Sequence, residues 1–264
     1  MDLTDLDLAC FDVECAVETI GSSAYAILSI LARLQSAPDL VTEYAKFTNV
    51  PPDIAELILS NEYRQLYDRH TRSLIVTIPG RPHDALVGEL HLVMAVSLAN
   101  MRRTEWSLTT ARVEGGICAK EPDGSWIPRE LPPGRSEKWP TVILEVGVSE
   151  AKKKLRADAD WWLANSEGQV HVVITIAVSR TVPEVTFETV VLEQPPTYIM
   201  GQRRYVTQVR QSIVVFRPPG GPITAVPDIS PLIITLQQVP ETDPVIPIPS
   251  LESIASAAWR WQEL

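Results

Sequence analysis

Two kinds of apolar run alternate along the chain, short β-branched stretches and longer stretches with helical spacing. Ala24 to Leu34, AYAILSILARL, has the pattern of a buried or amphipathic helix. VPPDIAELILSNEYRQLY restarts one, with Pro51 and Pro52 suited to its first turn. Together they predict a helical section over residues 1–70. SLIVTIPG, from Ser73, is a strand closed by Pro79-Gly80. Beyond Pro82, apolar residues recur at Leu86, Leu90, Val93, Met94 and Leu98, the period of a helix.

EWSLTTARVEGGICAK predicts two short strands broken at Gly115-Gly116, and EPDGSWIPRELPPGRSEKW a polar, proline-rich loop. WPTVILEVGV has strand length and continuous apolarity, so both its faces need cover. SEAKKKLRADADWWLANSEG reads as a helix with Ser149 as N-cap and Gly168 beyond its end. QVHVVITIAVSR, VTFETVVLE and RRYVTQVRQSIVVFR are three further strands. From Pro218 to Pro249 there are nine prolines, which exclude a regular helical domain but allow edge strands around PLIITLQ. SLESIASAAWRWQEL closes the chain as a capped helix.

From Pro82 the order is therefore helix, three strands, helix, strand. That order predicts an α/β fold of the α+β kind with a mixed sheet covered by helices. The expected organisation is a helical section over 1–70, a core over 71–217, and a proline-rich extension with a C-terminal helix over 218–264.

Composition narrows the class. The 264 residues are 45% hydrophobic and 21% charged, far from the signature of a disordered chain. No apolar run approaches the ~18 residues of a membrane helix, and the N-terminus is acidic where a signal peptide would be basic. The expectation is an intracellular protein, in cytoplasm or nucleus, with no membrane partner. Cys10, Cys15 and Cys118 form neither a paired framework nor a zinc motif. The net charge of −10 argues against a general nucleic-acid coat. Six acids and no base lie in the first 32 residues, however, and residues 101–160 hold 11 Lys or Arg against 10 Asp or Glu. The acidic total therefore leaves a nucleic-acid substrate open.

The informative chemistry is Pro122-Asp123-Gly124-Ser125-Trp126 followed by Glu145 inside the apolar run TVILEVG. An acid within such a strand is costly to bury unless paired, hydrogen-bonded or metal-bound. Two carboxylates brought together repel, and a hard cation such as Mg²⁺ relieves that repulsion and can activate water.

KEPDGSWIP, WPTVILEVGVSE and LRADADWWL resemble segments of the restriction-endonuclease-like proteins of filamentous fungi, related to the bacterial Uma-type nucleases of the PD-(D/E)XK superfamily. The resemblance covers roughly Leu74 to Arg180. It implies a restriction-endonuclease-like core, a four-stranded mixed sheet flanked by helices. It also implies a phosphodiesterase site in which Asp123 and Glu145 bind Mg²⁺ or Mn²⁺ and DNA or RNA is the substrate. Two residues after Glu145 stands Gly147 where the motif has lysine. In the relatives the following helix supplies that lysine. Here it offers Lys152, Lys153, Lys154 and Arg156, with Lys154 preferred and Arg156 next. The first-helix acid corresponds to Asp84 in the His83-Asp84 pair, or to Glu89.

Two functions follow. One is a divalent-metal-dependent nuclease whose motif is partly degenerate. The other is a pseudo-nuclease, a nuclease-fold module that binds protein or nucleic acid without cleaving it, which Gly147, the acidic balance and the proline-rich tail favour. A homodimer through the N-terminal section or the tail fits either.

Overall fold

The first seventy residues place helices where the apolar spacing puts them, but with strands between them. In the computed structural model β1 (Val17–Ile20), α1 (Ala24–Gln35), β2 (Glu43–Thr48), α2 (Pro52–Leu59), β3 (Arg64–Asp68) and β4 (Ser73–Ile78) follow in order. The structure describes residues 15–264 except 22, 37–42, 60–62, 102–105, 110–111, 116–117, 132, 149–151, 194–196, 200–201, 229 and 235–242. The expectation of a helical section is thus corrected. RQLYD leaves the helical register after α2 because alternate residues serve opposite faces: Leu66 packs into one core and Tyr67 into another. A boundary between 70 and 71 would also cut the β3–β4 hairpin, in which Leu66 pairs with Ile75 and Asp68 with Ser73.

The chain continues through α3 (Arg81–Asn100), β5 (Trp106–Thr109), β6 (Val113–Glu114), β7 (Cys118–Lys120), β8 (Gly124–Pro128) and β9 (Val142–Val148). Then come α4 (Lys152–Asn165), β10 (Val172–Val178), β11 (Glu184–Leu192), β12 (Thr197–Ile199), β13 (Gln202–Arg204) and β14 (Thr207–Phe216). The chain ends with β15 (Thr224–Val226), β16 (Leu232–Ile233), β17 (Val245–Ile246) and α5 (Ile248–Gln262). GSWIP, expected as loop, is strand β8, paired antiparallel to β9 through Gly124–Leu144 and Trp126–Val142. The predicted N-cap Ser149 lies outside the described residues. Helix α5 starts at Pro247 without a side-chain cap, so the expected capping is corrected.

Of the two large sheets, the first has the order β1-β2-β4-β3-β7-β6 and the second β15-β14-β11-β10-β9-β8-β5, and β12-β13 and β16-β17 form two-stranded ribbons. In the second, β9 and β10 are parallel, joined through α4, while β8, β11 and β14 add antiparallel. The fold is therefore mixed α/β, with α3 followed by five strands, then α4 and β10.

Alternation along the strands explains the layering. Ile143 and Val173 of the second sheet, and Leu66 and Ile75 of the first, pack on Trp161 and Trp162 of α4, so α4 lies between the two sheets. Val142, Leu144, Val146 and Val148 face the other way, onto α3 and α5. Phe47, Leu74 and Val76 of the first sheet turn outward onto α1 and α2. Strand β9 is buried along its whole length because both its faces are covered, as the unbroken apolarity of VILEVGV required.

Candidate functional site

Asp123 ends the short crossing from β7 in one sheet to β8 in the other. Its N–H donates to the Leu144 carbonyl at 3.1 Å, which sets the residue beside β9. Its Oδ2 accepts from the Val146 N–H at 2.6 Å. Its Oδ1 is ion-paired with Nη1 of Arg64 from β3 and lies 3.1 Å from Nε2 of His83 on the first turn of α3. Gly124 is needed here for room: a Cβ at that position would come within 2.2 Å of His91 Nε2. The Pro-Asp-Gly sequence serves a close approach of α3 to β8.

Glu145 shares the face of Ile143, towards α4. Its Oε1 accepts from the Trp162 indole N–H at 2.5 Å and lies 3.1 Å from Lys120 Nζ of β7. Helix α4 contributes a stripe at i, i+4 and i+8. Lys154 Nζ is 2.6 Å from Asp158 Oδ2, Lys120 Nζ is 2.7 Å from Asp158 Oδ1, and Trp162 follows one turn later. Asp123, Glu145, Asp158, Lys120 and His83 are all buried. The space between the groups, bounded also by Tyr44, Gln65 and Glu121, is about 30 Å³, room for one or two water molecules.

The charges set one another. Burial opposes ionisation of Asp123, but the charges and hydrogen bonds of His83, with Arg64 and the Val146 N–H, hold its carboxyl well below the usual carboxylate range. Burial works against the charge of His83 too, yet Asp123 and Asp84 lift its pKa to about 9. Glu145 moves the opposite way. Burial, with the charges of Asp158 and Asp123, pushes it up to about 7 against the pull of Lys120 and Lys154. Asp158, equally buried, is lowered by Lys120 and Lys154.

The structure thus brings together Asp123, Glu145 and Lys154 of the residues expected from sequence. It does not bring in the others. Asp84 is 63% exposed and lies 3.3 Å from His83 Nδ1, and neither Asp84 nor Glu89 lines the space. Arg156 lies two residues and so about 200° around the helix from Lys154. It bonds the Thr207 carbonyl at 2.8 Å and Asp160 at 3.2 Å. Trp161 and Trp162 are both fully buried, so base stacking is closed to them. The sequence reading missed Arg64, Lys120 and Asp158. Only the Lys154–Asp158–Trp162 spacing carried a local signal for one of them.

A divalent cation fits this arrangement poorly. Oδ2 of Asp123 already accepts from the Val146 N–H and its Oδ1 is ion-paired with Arg64 and His83, while Oε1 of Glu145 accepts from the Trp162 indole N–H and is ion-paired with Lys120. Among the described residues no group of three His, Cys, Asp or Glu side chains is placed to hold a metal ion.

No family model matches the chain, and no curated protein matches it. Among solved structures it is similar to a DUF820 protein from Anabaena variabilis described as a "putative nuclease". The two share 17% identity at a TM-score of 0.34, over 51% of this chain and 79% of the other. No described helix is long and apolar enough to cross a membrane.

Proposed function

We propose that the chain is a nuclease-fold module that does not cleave phosphodiester bonds and acts by binding a partner. One observation carries this reading: the carboxylates that the motif would give to a metal ion are engaged instead by Arg64, His83 and Lys120. Hydrolysis by a metal-activated water needs carboxylate oxygens free to face the ion. Here those oxygens close a charge network with space for about two waters.

The second reading, a nuclease dependent on Mg²⁺ or Mn²⁺, has support in the convergence of Asp123, Glu145 and Lys154, with Lys120 beside them. DNA or RNA would be its substrate. The two readings part on one assay. Purified protein is incubated with single- and double-stranded DNA and RNA in Mg²⁺ and in Mn²⁺, beside Asp123→Ala and Glu145→Ala. No cleavage above the variants is the expected result. Metal-dependent cleavage lost in both variants would overturn the proposal in favour of the nuclease.

A further inference from the structure

Lys120 is the least expected member of the network. It sits on β7, three residues before Asp123, and its side chain is buried beside Trp161 and Trp162. Its ammonium lies 3.1 Å from Glu145 and 2.7 Å from Asp158, and 5.5 Å from the ring centroid of Trp162. A buried ammonium is tolerated only with compensating charge, and two carboxylates this close need either a cation between them or a shared proton. Each explains the other.

We infer that Glu145 and Asp158 form a latent divalent-cation site and that the Lys120 ammonium is the resident cation holding it shut. The inference rests on the non-catalytic reading above and gives that reading its cause. The oxygens that contact Lys120 come from β9 and from α4, two elements packed together in the core between the sheets. With the ammonium removed, they face a space of ammonium size and can approach one metal ion. Asp123, close enough to raise the pKa of Glu145, adds negative potential.

The charge balance points the same way. Asp123, Glu145 and Asp158 stand against Arg64, His83, Lys120 and Lys154. A divalent ion entering this cluster would add positive charge to a site that already has its complement. Replacing Lys120 by a neutral residue removes one positive charge and uncovers two oxygens at once. The ligand class is a hard, oxygen-seeking ion such as Mn²⁺ or a lanthanide, since both ligands are carboxylates.

The experiment compares the full chain with Lys120→Ala, Lys120→Gln and Lys120→Ala/Asp158→Asn. Mn²⁺ binding is measured by calorimetry, and Tb³⁺ binding by luminescence excited through tryptophan, for which Trp162 is hydrogen-bonded to Glu145. The expected result is no saturable binding by the parent at 1 mM metal, a scale on which weak sites are detected. Lys120→Ala then binds at least tenfold more tightly with sensitised Tb³⁺ emission, and the double variant loses both. Should Lys120→Ala be unfolded without metal, Mn²⁺ is expected to restore its fold and that of Lys120→Gln. A folded Lys120→Ala that gains no binding, or an unfolded one that metal does not restore, overturns the inference and leaves the non-catalytic reading standing. Tight metal binding by the parent, accompanied by nucleic-acid cleavage, overturns both.

Discussion

At the scale of single residues, a carboxylate with no local excuse proved the best guide. Glu145 was legible because an acid inside VILEVGV has to be compensated, and Asp123 because the flanking motif came with it. Lys120 and Arg64 were not legible, because their partners come from the other sheet or from a helix between the sheets, contacts that no local spacing encodes, while Asp158 left only the i,i+4 spacing from Lys154. Arg156 misled because sequence closeness to Lys154 is not closeness on a helix. Removing Asp123 strands Arg64 and His83, so Asp123→Ala is expected to lose about 3–5 kcal/mol of stability in denaturant unfolding, as for a broken buried ion pair. His83 gives a pH signature. Its pKa is raised in the fold from 6.5 to about 9. Its stabilising contribution is therefore full below pH 6.5 and disappears as pH rises through 9. Unfolding midpoints measured from pH 6 to 10 should fall more steeply for the parent than for His83→Gln. Glu145, raised to about 7, acts in the same direction at lower pH, losing its contribution as pH climbs from 4.5 through 7. The depressed Asp123 opposes both only in acid, where its contribution is lost as pH falls below the usual carboxylate range.

At the scale of elements, the strand–helix–strand unit β9–α4–β10 followed from its pattern, since a seven-residue apolar run, a long helix and a second apolar run leave little else to form. The strands β2, β3 and β8 did not. EYAKFT and RQLYD mix charged, aromatic and apolar residues over five or six positions, too few to separate a period of two from the neighbouring helix. GSWIP was hidden by the turn chemistry of Pro-Asp-Gly. The glycine in that motif is set by the helix behind it, so Gly124→Ala is expected to cost about 1–3 kcal/mol by overpacking against His91. In a double-mutant cycle His91→Ala should recover part of the loss, because the two residues share one contact. Full additivity would place the strain elsewhere. Trp162→Phe removes the indole donor to Glu145 and part of a fully buried ring, and is expected to lower stability by at least about 1–3 kcal/mol in the same unfolding assay.

At the scale of the molecule, the proline-rich extension and the N-terminal section both belong to continuous cores. Leu232, Ile246 and Trp259 pack with the strands of the second sheet, and β6 and β7 complete the first sheet from beyond α3. A chain beginning at residue 71 would leave β7 without its neighbour β3 and α4 without one of its two walls. It is expected to lose the cooperative unfolding transition of the full protein, which circular dichroism in denaturant would register. The short passage from Lys120 to Asp123 has a consequence of another kind. It carries one charged partner into each end of the network while switching between the sheets. Sliding one sheet over the other would break those pairs together, so the two sheets have no low-energy way to part. Backbone amides of β7 and β9 should then exchange with deuterium at a single slow rate, that of global opening, although they belong to different sheets.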